Sequence, residues 1–287
     1  MKAAILGASG AIGSAILNSI KKKPNYNLYY PSSKDLDFRE EIKFKNFDIE
    51  GFDLIFLSLG SYSGLKGYEL STNKNYNDIF YDNQINFCEK LSKKDSLIIN
   101  ISSASLENER NFQEKSPYFS YTSEKRYVEE ALSSLNRNVI SIRPTNIISC
   151  YENLNKSGHV FASMHRKIME SKNSCEIWTS PRDWREFTSC AMIEDLIHNL
   201  IVNHENKTLP EGFNILPIGN GRKTKIVDLA DMIKESQNKD EIKILANQDY
   251  KEGPLKYTIG MKQVNKFFGT VHFLEEEVVD MVARIYK

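Results

Sequence analysis

The sequence predicts an α/β fold, a doubly wound parallel sheet that carries a smaller C-terminal substrate-binding lobe. Short apolar runs alternate with helical patterns over about the first 150 residues, which is typical of βαβ units and a parallel sheet. A glycine-rich turn joins the first apolar run to the first helical pattern. After Asn146 the alternation gives way to longer loops rich in Pro and Gly, and both tryptophans lie in this part.

The individual elements follow from the same alternation. Each predicted strand is a run rich in Ile, Leu and Tyr, and runs with a helical pattern separate these strands. In chain order we predict the strand KAAILGA, the helix GSAILNSIKKK, the strands YNLYYPSS and FDLIFLSLG, the helix DIFYDNQINFCEKLSKK, the strand SLIINISSAS, the helix SPYFSYTSEKRYVEEAL and the strand NVISIRPTN.

The change of pattern after Asn146 predicts two lobes. We expect residues 1–150 to form a Rossmann-like domain that carries the glycine-rich turn, with 186–206 returning to it as a further strand and helix. Residues 151–185 and 207–287 would then form the substrate-binding lobe, built from insertions near the carboxyl ends of the strands.

The composition is that of a globular protein without a strongly charged face. Lys plus Arg and Asp plus Glu both total 38 in 287 residues, so the formal net charge is zero and neither nucleic acid nor an anionic membrane is an expected partner. No apolar run approaches the roughly 18 to 20 residues that cross a bilayer. The cysteines are far apart in sequence and include no C-x-x-C pair, so we expect no zinc site, no disulfide framework and a cytoplasmic location; they are Cys88, Cys150, Cys175 and Cys190.

The glycine-rich turn has the pattern of a dinucleotide site. Gly7, Gly10 and Gly13 form G-x-x-G-x-x-G between the first strand and the first helix. In such a site the first glycine permits a tight turn, the second lets the backbone approach a pyrophosphate and the third packs helix against strand. The helix amino terminus adds N–H groups and a positive dipole end. We therefore expect nucleotide contacts from the whole turn, which also includes Ser9, Ala11 and Ile12.

The end of the second strand favours NADP over NAD. Ser32, Ser33 and Lys34 come first in this segment, and Asp35 only follows them. Two hydroxyl groups and an ammonium group suit the 2′-phosphate of NADP. The alternative is a polar turn in which Asp35 binds the ribose of NAD.

Two serines and a tyrosine–lysine pair mark a candidate catalytic centre. Ser102 and Ser103 end a buried strand, at the sheet edge where ligands of open α/β folds bind. Tyr121 and Lys125 are spaced to lie on one face of a helix, one turn apart, whereas Tyr118 and Tyr127 have no lysine four residues later.

The combination of the glycine turn, the serine pair and Y-x-x-x-K resembles the extended, sugar-nucleotide-modifying branch of the short-chain dehydrogenase/reductase superfamily, the NAD-dependent epimerase/dehydratase family. The resemblance implies that Tyr121 is the proton donor or acceptor, that Lys125 holds the nicotinamide ribose and lowers the pKa of Tyr121, and that Ser103, or Ser102, orients the substrate oxygen.

A narrower resemblance extends over almost the whole chain, in the right order. SSKDLDF, RPTNIISCYENLNKSGHVFASMHRKI, IWTSPRDWREFTSCAMIEDL and FNILPIGNGRKTKIVDLADMI each resemble segments of the GDP-L-fucose synthase group of 4-keto-sugar reductases. The resemblance implies an active-site role for His159 and substrate contacts from Asn146 and Arg185, and an arginine can grip a diphosphate with two hydrogen bonds. The alternatives are a loop histidine for His159 and a surface ion pair of Arg185 with Glu186. The resemblance also implies that Leu59, Gly60, Pro144 and Asn146 contact the nicotinamide cofactor.

One departure from that group favours reduction without epimerisation. The fucose synthases carry a cysteine just after the serine pair, where this chain has Ala104 and Ser105, and neither side chain is an effective base at neutral pH. We therefore predict NADPH-dependent reduction of a 4-keto group on a nucleotide-activated deoxysugar. The product would be a sugar nucleotide used in the synthesis of surface polysaccharide. The alternatives are a nucleotide-sugar 4-epimerase with tightly bound NAD and a non-catalytic dinucleotide-binding sensor or scaffold.

The family also implies a homodimer. Val128, Leu132 and Leu135 offer an apolar helix face for it, although an internal core would use the same spacing.

Overall fold

A computed structural model describes most of the chain. It covers residues 1–40, 42, 51–60, 74–111, 117–155, 158–247, 258–269, 273–274 and 276–286, with the backbone alone for 74–78, 108–111 and 117–120. Every structural statement below concerns these residues.

A six-stranded parallel sheet forms the centre of the protein. Its strand order is β2-β1-β3-β4-β5-β10, and each pair of neighbours is parallel. The chain moves outward from β1 in both directions, which is the doubly wound arrangement and places a crevice at the carboxyl end of β1. The strands are β1 (Lys2–Leu6), β2 (Asn27–Tyr29), β3 (Phe52–Leu57), β4 (Ser92–Ile101), β5 (Asn138–Pro144) and β10 (Phe213–Ile218).

Helices cover both faces of the sheet, as the apolar strands require. Alternate residues of a strand enter different buried clusters: Ala3 and Ile5 of β1 lie in one, and Ala4 and Leu6 in the other. The helices are α1 (Ala11–Lys21), α2 (Lys74–Leu91), α3 (Pro117–Ser134), α4 (Val160–Glu170), α5 (Cys190–Glu205), α6 (Ile226–Ser236), α7 (Lys262–Phe268) and α8 (Val278–Ile285), with a 3-10 helix at Ala104–Asn111.

Three small two-stranded sheets lie outside the central sheet. β6 (Asn146–Ile148) pairs with β9 (Phe187–Ser189) and β7 (Ser174–Ile177) with β12 (Lys243–Ala246), both in parallel. β8 (Trp184–Arg185) pairs with β11 (Thr224–Lys225) in antiparallel orientation.

The structure corrects one part of the predicted lobe boundary. Strand β10 falls within 207–287, which the sequence assigned to the smaller lobe, yet it pairs with β5 along its whole length, from Phe213 opposite Val139 to Ile218 opposite Pro144. The strand contains an Asn and a Pro, so its sequence does not show a continuous apolar run. An edge strand need not be apolar throughout. Residues 213–218 therefore belong to the central sheet.

The apolar face proposed for a dimer contact is largely internal. Val128 and Leu132 of α3 are buried in the protomer's own core together with Phe87 of α2 and Val139 of β5, and Leu135 packs against the same cluster. These residues therefore stabilise the packing of α3 on the sheet, and they are not an exposed dimer face.

Candidate active site

The glycine turn after β1 is built from close backbone contacts. Gly7 has φ +83°, and a Cβ atom there would lie 2.4 Å from the Ser58 carbonyl oxygen. A Cβ on Gly13 would lie 1.9 Å from the Gly7 carbonyl oxygen. Gly10 donates its N–H to that same oxygen over 3.0 Å. A side chain at Gly7 or Gly13 would therefore push the turn away from β3 or from α1.

The amino terminus of α1 fits a pyrophosphate. The cap residue, Gly10, makes no side-chain capping bond, and the first turn of the helix has no acidic residue. The N–H groups of this turn carry the positive end of the helix dipole and are not opposed by a carboxylate of their own turn. Ser9 and Gly10 are exposed, while Ala11 and Ile12 are partly buried against the core. The turn thus offers backbone donors where a dinucleotide phosphate would lie.

The turn after β2 is held by a carboxylate. Asp35 Oδ2 accepts hydrogen bonds from the Ser32 hydroxyl over 2.7 Å and from the Ser32 N–H over 3.0 Å. These bonds lower the pKa of Asp35. The side chains of Ser33 and Lys34 are exposed in the same turn. Of the three predicted phosphate ligands, Ser32 is therefore engaged within the turn, and Asp35 is directed at Ser32.

Ser103, Tyr121 and Lys125 come together at the carboxyl end of β4. The hydroxyl groups of Ser103 and Tyr121 are hydrogen-bonded, and Ser103 Oγ also accepts a bond from Ser105 Oγ over 2.8 Å. Lys125 Nζ donates to the Ile101 carbonyl over 2.9 Å. The structure therefore joins the last residues of β4 to the face of α3 that carries both Tyr121 and Lys125.

Burial sets the protonation of this cluster. It raises the pKa of Tyr121 above its ordinary value; the bond with Ser103 opposes the rise and Glu124 adds to it. This is opposite to the expected lowering by Lys125, because removal of the phenol from water disfavours the phenolate. Burial also lowers the pKa of Lys125 to about 8, although Glu124 and Glu129 act in the other direction. At neutral pH Tyr121 is therefore a phenol, and most Lys125 side chains are protonated.

A buried ionic network lies behind the cluster and was not found from the sequence. Glu129, one turn after Lys125, pairs with the Arg143 guanidinium of β5 and accepts a bond from Ser141 Oγ over 2.7 Å. Burial opposes ionisation of Glu129, but its bonds with Arg143 and Ser141 more than offset that effect, so its pKa lies below the ordinary value. The Ser102 hydroxyl is buried and has no hydrogen-bond partner in the described part of the chain, while Ser103 contacts Tyr121.

His159 is held by a buried acid. Its Nδ1 lies 2.5 Å from Oε1 of Glu152, whose side chain is almost fully buried, whereas the imidazole is 44% exposed. His159 is also the amino-terminal cap residue of α4. The exposed ring is therefore fixed in orientation, which an unpartnered loop histidine would not be.

Asn146 and Arg185 lie on the small sheets beside the central sheet. The Asn146 side-chain amide donates to the Glu186 carbonyl oxygen over 3.0 Å. Arg185 is half-buried and donates from Nη1 to the Trp184 carbonyl oxygen over 2.8 Å. Trp184 itself lies under Lys223 Nζ, which is 4.8 Å from the ring centroid.

The remaining predicted cofactor contacts lie at the carboxyl edge of the central sheet. Leu59 and Gly60 follow β3, and Pro144 ends β5.

Glu186 does not form the surface ion pair with Arg185 that the sequence left open. Its buried carboxylate accepts backbone N–H bonds from Gly221 over 2.5 Å, Ile259 over 2.5 Å and Gly260 over 2.8 Å. It therefore ties two loops together, and a charged acceptor with three donors is a strong anchor. Its inward direction leaves Arg185 without Glu186 as an ion-pair partner.

Among the described residues there is no group of His, Cys, Asp and Glu side chains arranged to hold a metal ion. None of the helices in this part of the chain is both long enough and apolar enough to span a bilayer.

The fold and the site define the class of the protein. A glycine turn at the carboxyl end of β1 and a Ser–Tyr–Lys cluster at that of β4 are the features of an NAD(P)-dependent enzyme of the oxidoreductase type. The chain belongs to the NAD dependent epimerase/dehydratase family, whose model matches residues 3–215. The family predicted from the sequence is thereby confirmed.

Solved structures share this fold over nearly the whole chain. A GDP-6-OMe-4-keto-L-xylo-heptose reductase from C. jejuni has a TM-score of 0.78 and 17% identity, over 99% of this chain and 96% of that one. A GDP-L-fucose synthetase from Naegleria fowleri bound to NADP has a TM-score of 0.74 and 16% identity, over 99% and 92%. TunA, an NAD dependent NDP-hexosamine 5,6-dehydratase, has a TM-score of 0.73 and 11% identity, over 99% and 96%. A comparison with curated protein sequences gave no match. These likenesses confirm the Rossmann-like α/β fold.

Proposed function

We propose that this protein uses NADPH to reduce a 4-keto group on a nucleotide-activated deoxysugar. The observation that carries the proposal is the Ser103–Tyr121 hydrogen bond beside Lys125, whose ammonium group is held by the end of β4. A proton donor, a second hydroxyl and an ammonium group thus share the sheet edge where ligands of open α/β folds bind. This set of groups suits protonation of a carbonyl oxygen.

Each side chain has a separate role in the proposed reaction. Tyr121 protonates the substrate oxygen, and the burial that raises its pKa keeps the proton available at neutral pH. Ser103 hydrogen-bonds the same oxygen. Lys125 positions the nicotinamide ribose and stabilises the phenolate that Tyr121 becomes. The nicotinamide cofactor, when bound, supplies the hydride.

Substrate contacts are assigned to the residues around this centre. His159, oriented by Glu152, would contact the sugar, and Asn146 and Arg185 would hold the nucleotide sugar beside it. The inward direction of the Glu186 carboxylate supports the assignment of Arg185, because Glu186 does not neutralise that guanidinium.

The surroundings of Ser103 support reduction without epimerisation. Ala104 and Ser105 are both buried at the start of the 3-10 helix, and the Ser105 hydroxyl donates to Ser103. A second acid–base group is therefore not supplied at the positions where the fucose synthases carry their cysteine. Solved structures with this fold include a GDP-6-OMe-4-keto-L-xylo-heptose reductase and a GDP-mannoheptose C4 reductase.

The preference for NADPH is assigned to the exposed end of the β2 turn. Replacing Lys34 by Ala is expected to weaken NADPH binding by about tenfold, since the variant loses one charge-assisted contact to the 2′-phosphate. NADH affinity should stay as in the wild type. Both dissociation constants can be measured from the fluorescence of the reduced nicotinamide. Lys22→Ala, which removes an exposed lysine at the end of α1, is the matched control. An equal loss for both cofactors in Lys34→Ala would contradict this assignment.

The activity itself is tested by following NADPH oxidation with a panel of 4-keto nucleotide sugars that differ in base and sugar. We expect stoichiometric oxidation with at least one of them, and NMR of the product should show a new 4-hydroxyl group with no inversion at the neighbouring carbons. Interconversion of 4-hydroxyl epimers by a protein purified with bound NAD, without net NADPH oxidation, would instead identify a 4-epimerase. Absence of turnover together with normal NADPH binding would favour the sensor or scaffold.

Three further properties are proposed. We propose a cytoplasmic location from the cysteine pattern of the sequence. From the family resemblance we propose a role in the synthesis of surface polysaccharide and a homodimer. Because Val128 and Leu132 are internal, a dimer would use other residues of the helices. Light scattering on the purified chain measures the oligomeric state.

A further inference from the structure

Cys150 and Cys190 are neighbours in the fold although they are far apart in sequence. Strands β6 and β9 pair in parallel with Ile148 opposite Ser189, so the segments that follow these strands leave the pair side by side. The two sulfur atoms lie 3.2 Å apart. Both cysteines are reduced; Cys150 is exposed and Cys190 is buried. The pair therefore has one thiol that a reagent in solution can reach and one thiol directly behind it.

The segment that carries Cys150 is bonded to the candidate active site on both sides. Ser149 Oγ donates to the carbonyl oxygen of Ala11, the first residue of α1, over 3.0 Å. Glu152, two residues after Cys150, holds His159. Between them, the Tyr151 hydroxyl donates to Glu194 of α5 over 2.8 Å. A displacement of Cys150 would therefore be felt both at the dinucleotide helix and at the proposed sugar-binding histidine.

The two thiols differ in their exposure to solvent. Cys150 is exposed, so a disulfide in solution can reach its sulfur. Cys190 is buried, and burial raises the pKa of its thiol to about 12, so it is protonated at neutral pH and unreactive on its own. Cys150 is accordingly the thiol that reacts first, and Cys190 the one that reacts second.

We propose that Cys150 and Cys190 form an oxidisable dithiol, a modification site whose co-reactant is a low-molecular-weight disulfide. The Cys150 thiolate attacks one sulfur of that disulfide, whose S–S bond breaks, and one small thiolate leaves. The Cys190 sulfur then attacks Cys150, the second small thiolate leaves, and it takes the Cys190 proton. The protein loses two protons and two electrons, which together are two hydrogen atoms, and the small disulfide takes them up to become two thiols.

Closure of the bond is expected to slow the enzyme. A disulfide holds its sulfur atoms about 1 Å closer than the present contact, which pulls the Ser149–Glu152 segment toward α5. Displacements of this size in groups that orient a reacting centre lower rates substantially. We expect about a tenfold fall in turnover or in NADPH affinity, reversed by dithiothreitol. The turnover readout rests on the proposed function, whereas bond formation and NADPH binding do not.

The test treats the purified full chain with oxidised glutathione and follows its intact mass. The wild type should lose two hydrogen atoms and keep no glutathione, and Cys175→Ala, a matched variant of another buried thiol, should do the same. Cys190→Ala should stop at one glutathione adduct, and Cys150→Ser should not react. A stable adduct on the wild type, or no reaction at all, would overturn the dithiol.

NADPH binding and turnover are then compared between the oxidised and the reduced wild type. An internal disulfide that changes neither quantity would overturn the link to the active site. Cys150→Ser, which leaves the buried thiol in place, should be insensitive to oxidised glutathione in both measurements. If neither the oxidised nor the reduced protein reduces any keto sugar of the panel, the proposed function is contradicted. The mass and NADPH-binding measurements then test the oxidisable dithiol by themselves.

Discussion

Replacing Tyr121 by phenylalanine is expected to lower turnover by roughly a thousandfold, since the variant lacks the group that protonates the substrate oxygen. The phenyl ring fills the same space in the partly buried site, and the Lys125 bond to the Ile101 carbonyl does not involve the phenol. NADPH affinity and the unfolding temperature should therefore stay close to those of the wild type. Steady-state kinetics with the best substrate of the panel, together with NADPH titration, measures the effect.

Tyr127→Phe is the matched control for this prediction. Tyr127 lies on the same helix, but it is 45% exposed and its hydroxyl donates to Asp82 Oδ1 over 2.5 Å. Loss of one surface hydrogen bond should leave turnover unchanged. If Tyr121→Phe kept full activity, or if both variants lost activity equally, Tyr121 would not be the proton donor.

Replacing Gly7 by alanine is expected to damage both stability and dinucleotide binding. The residue has φ +83° and its new Cβ would lie 2.4 Å from the Ser58 carbonyl oxygen. The left-handed conformation costs an alanine about 1–2 kcal/mol, and crowding in a packed site adds about 1–3 kcal/mol. We expect the free energy of unfolding to fall by about 3 kcal/mol and NADPH affinity to fall by at least tenfold. Denaturant unfolding and NADPH titration measure the two effects.

Gly212→Ala separates the two causes. Gly212 has a similar φ of +77°, but a Cβ atom there would meet nothing within 4 Å, and the residue lies in the loop before β10. Gly212→Ala should lower the free energy of unfolding only by the cost of the left-handed conformation, about 1–2 kcal/mol. NADPH affinity should be unchanged. Equal effects of the two substitutions on stability and on binding would show that close packing of the turn on β3 is not needed for the cofactor.

The sequence predicted the parts of the site that depend on short-range patterns. Gly7, Gly10 and Gly13 lie where a tight strand–helix turn needs them, and their spacing alone indicated this. Tyr121 and Lys125 share a helix face because residues four apart always do. The serine pair could be placed at the end of β4, but its two members could not be told apart. Their separation depends on the direction in which the chain leaves β4: Ser103 contacts Tyr121, whereas the Ser102 hydroxyl is buried without a hydrogen-bond partner among the described residues.

Longer-range contacts changed several expectations. Val128 and Leu132 fit a dimer face and a core equally well by spacing, and the packing of α3 on the sheet selected the core. The pKa of Tyr121 was expected to fall because of Lys125 and instead rises, because burial is the larger effect. Strand β10 was assigned to the wrong lobe, since its sequence does not say which sheet edge it will join.

What the sequence by itself determined is the fold class, the family and the local machinery, because apolar alternation, a glycine turn and a four-residue spacing are properties of neighbouring residues. The tertiary structure alone decided the Glu152–His159 pair, the inward Glu186 anchor, the Glu129–Arg143 network and the Cys150–Cys190 contact. Most of these contacts bring together residues far apart in the chain, and all of them depend on how strands and loops pack against one another, which local periodicity does not encode.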